Sequence, residues 1–161
     1  MKYQLKEKVW SLGDTYRILG DTGLEVLSVK GKFFAWGKDL MVRDVRGIEV
    51  ARIKQKMMSL MPKFQLYRND ELYAEIVKEF SWFQSSFTLD VPGPNDYEIS
   101  GNFWNYEYSF QRQGQVVASV SKAHWTWSDT YGVDIIDGED DISILSTVVV
   151  IDLVCHDGKK D

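Results

Sequence analysis

Gly23-Leu24-Glu25-Val26-Leu27-Ser28-Val29-Lys30 returns 24 residues later as Gly47-Ile48-Glu49-Val50-Ala51-Arg52-Ile53-Lys54. Looser copies are Asp70-Glu71-Leu72-Tyr73-Ala74-Glu75-Ile76-Val77-Lys78 and Gly114-Gln115-Val116-Val117-Ala118-Ser119-Val120-Ser121-Lys122. Each copy has a second half, in which a branched aliphatic is followed eleven residues on by a large apolar residue: Val29/Leu40, Ile53/Phe64, Ile76/Phe87, Ile99/Phe110 and Val120/Tyr131. In four of the five, another aliphatic follows two positions later (Val42, Leu66, Leu89, Val133); Arg112 breaks the pattern in the other. Alternation on both sides of a turn is the signature of a hairpin, and the repeat is the length of one hairpin with its connection.

Turn chemistry falls where the hairpins need it, at Asp21-Thr22-Gly23, Arg46-Gly47, Asn69-Asp70, Pro92-Gly93-Pro94-Asn95 and Gln113-Gly114. The clearest alternation is Trp104-Asn105-Tyr106-Glu107-Tyr108-Ser109-Phe110, and Tyr131-Gly132-Val133-Asp134-Ile135 repeats it. Twelve strands are predicted, near 2–9, 15–19, 24–30, 39–43, 49–56, 62–68, 72–78, 84–91, 96–101, 103–112, 115–122 and 130–136. A sheet of that many strands splits into a sandwich or closes on itself. A closed barrel of this size has an interior wider than its own side chains fill, because about eight strands already reach that limit. One conflict stands in the pattern. Val50 shares a face with Arg52 and Lys54 while Ala51 and Ile53 take the other, and Leu24 and Val26 conflict with Lys30 in the same way. A β-bulge in each copy or a covering element over the outer face would each resolve it.

The candidate to fill the interior is the C-terminal run Ile142 to Val154, preceded by Asp137-Gly138-Glu139-Asp140-Asp141. Asp137 is placed to cap a helix over 139–155, with Glu139, Asp140 and Asp141 in a first turn whose dipole favours negative charge. Such a helix is apolar nearly all round, as full burial requires. The β-branched run Val148-Val149-Val150-Ile151 favours strand by intrinsic propensity, so the residues alone leave helix and strand open.

The 161 residues, 44% hydrophobic and 14% aromatic, suit one packed domain spanning 1–161 and exclude a disordered chain. Cys155 stands alone, which precludes an intrachain disulfide and points to a reducing compartment. Met1-Lys2-Tyr3-Gln4-Leu5-Lys6-Glu7-Lys8 lacks the apolar core of a signal peptide, and Ile142–Val154 is shorter than the ~20 apolar residues that cross a bilayer. The sequence therefore reads as cytoplasmic and not transmembrane. Its net charge of −5 is uneven: residues 30–68 hold ten Lys and Arg against Asp39, Asp44 and Glu49. That segment is +7 and the remainder −12.

The chain resembles the LURP-one-related family, which has the tubby C-terminal-like fold shared with phospholipid scramblases. The resemblance is carried by Lys30-Gly31-Lys32-Phe33-Phe34, by Asp44-Val45-Arg46-Gly47-Ile48-Glu49-Val50-Ala51-Arg52-Ile53-Lys54-Gln55-Lys56, by Gly101-Asn102-Phe103-Trp104 and by Asp137-Gly138-Glu139-Asp140. It implies a mainly β fold: a closed barrel of about twelve strands (2–136) around a central hydrophobic C-terminal α-helix (139–155). It also favours helix over strand for the last segment. Members of the wider superfamily bind phosphoinositide headgroups or act at membranes, so the resemblance implies a binding or scaffold module.

No catalytic set is legible. His124 and His156 are the two histidines, and His156 adjoins Cys155, a spacing that turns the two side chains apart on a helix. No phosphate-cradling loop is present, no cofactor is implied, and the acidic run before the helix has helix capping and a cation site as its two readings. Its spacing does not match an EF-hand. The leading expectation is an anionic ligand, a phospholipid or phosphoinositide headgroup, on a basic face formed by Lys30, Lys32, Arg52, Lys54 and Lys56. The alternatives are a protein-interaction or nucleic-acid-linked regulatory module and a small-molecule carrier with an open lumen. Trp36, Trp82, Trp125 and Trp127 are expected at one rim, as lids over the barrel end or as a contact surface.

Overall fold

The structure, a computed structural model, describes residues 1–8, 15–34, 37–122 and 130–156. Twelve strands precede one helix: β1 (Lys2–Lys8), β2 (Thr15–Leu19), β3 (Glu25–Phe34), β4 (Gly37–Asp44), β5 (Glu49–Gln55), β6 (Lys63–Arg68), β7 (Glu71–Glu79), β8 (Ser86–Asp90), β9 (Tyr97–Asn102), β10 (Glu107–Arg112), β11 (Gln115–Ser121), β12 (Thr130–Ile135) and α1 (Asp141–His156). Each strand pairs antiparallel with its sequence neighbours, and β1 pairs with β12, so the sheet closes into a barrel. The repeat sets the register. Val29 faces Val42, Ile53 faces Leu66, Ile76 faces Leu89, Ile99 faces Phe110 and Val120 faces Val133, all buried against the lumen.

Bulges resolve the face conflict in the sequence. The register slips so that Val26, Val50, Tyr73 and Val117 become the extra residue of their strands, at the same position in all four copies of the repeat. The extra residue lets the apolar side chain turn toward the core while the residues that follow resume alternation. Val26, Val50 and Tyr73 pack against the core and Val117 is buried in it.

α1 fills the lumen, and its residues from Ser143 to Leu153 are buried. The β-branched run Val148–Ile151 is helical for a topological reason. Closure leaves no free strand edge in the lumen, and only a helix satisfies its own buried backbone N–H and C=O groups. A carrier would keep this space open; here it is occupied. Within it, the Tyr16 hydroxyl donates to the buried Asp152 carboxylate at 2.6 Å.

The helix starts later than the expected 139. Gly138, at φ +90°, has a backbone no right-handed helix admits, and Asp137 lies with it in the preceding turn. Asp140 is the cap: Oδ1 accepts the Ser143 N–H at 3.2 Å, Oδ2 accepts the Ser143 hydroxyl at 2.6 Å, and its carbonyl accepts the Ile144 N–H at 3.1 Å. The strand expected over 103–112 is also shorter. Residues 103–106 form a turn in which Tyr106 has φ +56° and donates its N–H to the Phe103 carbonyl. Gly101 precedes it at φ +139°, where a Cβ would lie 2.5 Å from the Glu107 carbonyl oxygen, so no other residue fits that approach. The aromatic alternation here serves the barrel mouth. The Tyr106 ring stacks on His156 at 4.3 Å, Trp104 meets His156 edge-on, and His156 Nε2 lies 3.1 Å from the Phe103 carbonyl.

The barrel ends differ. One, the turn end, carries the connections 20–24, 45–48, 69–70, 91–96, 113–114 and 136–140. It includes two-residue turns at Asn69-Asp70 and Gln113-Gly114 with positive φ at both positions, the geometry whose twist matches a hairpin. The opposite, loop end carries 56–62, 80–85 and 103–106. α1 runs from the turn end to the loop end.

Candidate functional site

Strand alternation places Lys30 and Lys32 of β3, Met41 and Arg43 of β4, and Arg52 and Lys54 of β5 on the outer wall, opposite the buried Val29, Leu40, Val42 and Ile53. Antiparallel register then brings them side by side. Lys30 lies across from Met41 and Met41 from Arg52, while Lys32 lies across from Asp39 and Asp39 from Lys54. Lys30, Lys32, Asp39, Met41, Arg43 and Arg52 line a shallow hollow of about 220 Å³. Three of the five residues expected from sequence (Lys30, Lys32 and Arg52) line it, and Lys54 lies beside it, across from Asp39. Lys56 follows the last residue of β5 and stands at the loop end, outside the hollow's lining.

Asp39 sits among these cations. Arg52 grips it with two hydrogen bonds, Nε to Oδ1 at 2.9 Å and Nη2 to Oδ2 at 2.7 Å, the fork geometry of a guanidinium on a carboxylate. The Arg52 hydrogen bond holds the Asp39 carboxyl below the usual range against its partial burial, and the fields of Arg52, Lys54 and Lys32 add to it. The same contact raises Arg52. Arg52 is thereby a fixed wall of the hollow, while Lys30 and Lys32 project into solvent with no ion pair among the described residues. The Lys54 ammonium stands over the Tyr67 ring, 5.2 Å from its centroid. Arg43 completes the set. Sequence reading counted its charge without placing it, although its alternation with Leu40 and Val42 marks it as outward. Such a hollow attracts a compact anion: its lysines supply point charges, and the lining carries one carboxylate, already committed to Arg52.

The acidic run at the start of α1 is committed to the fold. Glu139 accepts from Arg112 Nη2 at 2.6 Å and from the Tyr97 hydroxyl at 2.8 Å. Asp140 accepts from Arg68 at 3.2 Å besides capping the helix, and Asp141 accepts from the Tyr3 hydroxyl. Arg68 and Arg112 continue the inward-facing parity of Leu66 and Phe110 at the turn end, so the residue that breaks the repeat is the one that pairs with the helix. Burial, then the Glu139 hydrogen bond, push the Tyr97 phenol above its usual value; burial, then Asp141, do the same at Tyr3. Among the described residues, no group of three or more His, Cys, Asp or Glu is arranged to hold a metal ion.

Elements of covalent catalysis are not brought together among the described residues. Cys155 is buried, and burial pushes its thiol up. His156 is held between Tyr106, Trp104 and the Phe103 carbonyl. His124, Trp36, Trp125 and Trp127 lie outside the described residues. Trp82 is 88% exposed, so it is no lid over the barrel end. No helix among the described residues is long and apolar enough to cross a membrane.

The sequence is 29% identical over 157 residues to the uncharacterized protein YxjI of Bacillus subtilis, covering 98% of this chain and 95% of that one. The fold is similar to the X-ray structure of a protein from Arabidopsis thaliana, with a TM-score of 0.67 and 16% identity over 95% of this chain and 91% of that one. The model of the LURP-one-related family matches residues 1–152. With its twelve-stranded barrel wrapped around a hydrophobic C-terminal helix, the chain belongs to the LURP-one-related family.

Proposed function

We propose that this protein is a non-enzymatic binding module, acting in the cytoplasm, that takes a phosphate-bearing anion on the outer face of β3, β4 and β5. The phosphorylated headgroup of a phospholipid or phosphoinositide is the leading ligand class. One observation carries the reading: Lys30, Lys32, Arg43 and Arg52 converge on one hollow, with Lys54 beside it and a single lining carboxylate that Arg52 already holds. Lysines near an anionic surface each contribute about 1 kcal/mol of attraction, and the contribution falls with salt. The acidic remainder of the chain opposes broad, non-specific attachment and confines the attraction to this face.

The test is flotation with vesicles of phosphatidylcholine, alone or mixed with phosphatidylserine or a phosphoinositide, at low and high salt. Wild-type protein is expected to float with anionic vesicles at low salt, and Lys30→Glu/Lys32→Glu to lose that binding. Soluble inositol hexakisphosphate serves as the second arm: competition by it assigns the hollow to the phosphate group itself, whether free or on lipid. Absence of binding to both probes at low salt, or unchanged binding by the charge-reversed variant, would overturn the reading.

A further inference from the structure

The loop end bears large apolar side chains that the core does not use. In the β5–β6 loop, Met58 and Leu60 are fully exposed and Met57 is half exposed. In the β7–β8 loop, Phe83 is fully exposed, Trp82 nearly so and Phe80 largely so. The two loops are neighbours, because β6 and β7 pair between them, and both are tied down at the base. Lys56 N–H donates to the Lys63 carbonyl at 2.8 Å, and Lys78 N–H to the Pro62 carbonyl at 3.0 Å. At the second tip the Gln84 N–H donates to Ser81 Oγ at 3.0 Å and the Ser81 hydroxyl returns a bond to the Gln84 carbonyl. This local turn holds Trp82 and Phe83 outward, and Phe80 meets Trp82 edge-on at 6.0 Å. Exposing this much aromatic and aliphatic surface on adjacent tips costs solubility and returns nothing to the barrel, a mark of a contact surface.

We infer that these two loops are a lipid-contacting edge, which dips Met58, Leu60, Trp82 and Phe83 into the interface of an anionic bilayer. Three observations favour a bilayer over a protein partner. The side chains stand on separate tips and are exposed on all sides, as insertion into a fluid layer allows and a fitted protein interface does not need. Cations adjoin the first tip in the chain, where Lys54 and Lys56 lead into Met57, while at the second tip Lys78 and Glu79 precede Phe80 and offset each other. The side wall of the barrel presents Lys2, Gln4, Lys30, Glu98, Ser100, Ser119 and similar polar groups, so exposed apolar side chains gather at the barrel ends. The loop end carries the aromatic and the most exposed of them, while Leu24, Val45, Ile48, Leu72, Val116 and Ile136 at the turn end are aliphatic and 50–70% exposed. Trp and Phe with basic neighbours are the side chains that hold a protein at the headgroup and acyl boundary without spanning it. The inference deepens the headgroup reading by naming the surface that would present the headgroup. It rests on that reading only for its charge attraction, since its apolar contact uses different residues.

The experiment compares the full chain with Met58→Ser/Leu60→Ser, Trp82→Ser/Phe83→Ser and Lys30→Glu/Lys32→Glu. The readouts are sedimentation with equimolar phosphatidylcholine–phosphatidylserine vesicles and binding of inositol hexakisphosphate. Each loop variant is expected to lose at least roughly tenfold in vesicle partitioning, since two side chains even half buried at the interface forfeit more than one decade of apolar transfer, with hexakisphosphate binding unchanged. In vesicles brominated on the acyl chains, wild-type tryptophan fluorescence is expected to be quenched more than that of Trp82→Phe. Unchanged partitioning of both loop variants, or equal quenching of wild type and Trp82→Phe, overturns the lipid edge. So does a wild type that self-associates in solution through these loops, shown by loop variants that sediment as smaller species. Charge reversal that spares vesicle binding while the loop variants lose it overturns the headgroup reading and leaves the lipid edge standing.

Discussion

At the turn end, polar side chains point inward and every acid of the helix start has a partner; at the loop end, apolar side chains point outward and touch little. Arg68, Arg112, Tyr3 and Tyr97 reach from four strands to the three acids before and at the start of α1. Met58, Leu60, Trp82 and Phe83 reach from two loops into solvent. Both patterns invert the usual rule for their residue types, for opposite reasons. Inward charges are tolerated where they are paired with a helix that has to be positioned. Outward hydrophobes are tolerated where something outside the molecule makes use of them. The turn end holds the helix in place, the loop end is the proposed contact, and substitutions should separate the two even though the turn end also exposes Leu24, Val45 and Ile48.

Removing α1 by ending the chain at Asp140 tests the folding half most severely. Its seven buried Ile, Leu and Val side chains, each contributing about 1.5–3 kcal/mol, together match or exceed the whole stability of an ordinary domain. The expected product lacks a cooperative thermal transition and near-ultraviolet circular dichroism. A cooperatively folded open barrel would contradict the plug.

Arg112→Ala should come next. The Glu139 side chain is 4% exposed, and loss of its guanidinium partner leaves a buried carboxylate with Tyr97 alone. Denaturant unfolding should show a loss of about 1–3 kcal/mol, since Arg112 is a third exposed and water can reach the pair, and Arg112→Met with Glu139→Leu should recover much of it. Asp140→Ala removes the helix cap and the Arg68 pair, for about 1–2 kcal/mol by the same measurement. Burial works to raise the Asp140 carboxyl, but the Ser143 hydrogen bonds and Arg68 outweigh it and lower it. A depressed carboxylate stabilises the fold above its unfolded value and loses that contribution as pH falls through its folded value. Wild-type stability should consequently drop on acidification below the ordinary carboxylate range by more than that of Asp140→Ala. The smallest effect belongs to the loop end: Met58→Ser/Leu60→Ser and Trp82→Ser/Phe83→Ser should each stay within about 0.5 kcal/mol of wild type in unfolding, because these side chains bury little.

The sequence carried the barrel in its repeat because a period-2 pattern with matched turns leaves few alternatives. Even the face conflict at Val26 and Val50 encoded a real feature, the bulge. The start of α1 was harder to read. Asp137, Asp140 and Asp141 are equivalent as letters, and only the Ser143 hydrogen bonds and the backbone of Gly138 single out Asp140. Trp104 to Tyr106 look like strand because aromatic alternation has the same spacing whether or not the ladder continues. At the basic face, parity alone grouped Lys30 with Lys32 and Arg52 with Lys54. Their union across β4, the joining of Arg43 and the commitment of Arg52 to Asp39 depend on inter-strand register, which no single strand's sequence contains. Arg68 and Arg112 read as a basic count and a broken pattern until the helix acids are placed beside them.

Amide hydrogen exchange with and without phosphatidylcholine–phosphatidylserine vesicles measures both ends of the molecule at once. The account predicts added protection in 56–62, 80–85 and the β3–β5 face, and none in 136–141, where every acid already has its partner. Protection appearing at the turn end, or no change at the two loops, would contradict it.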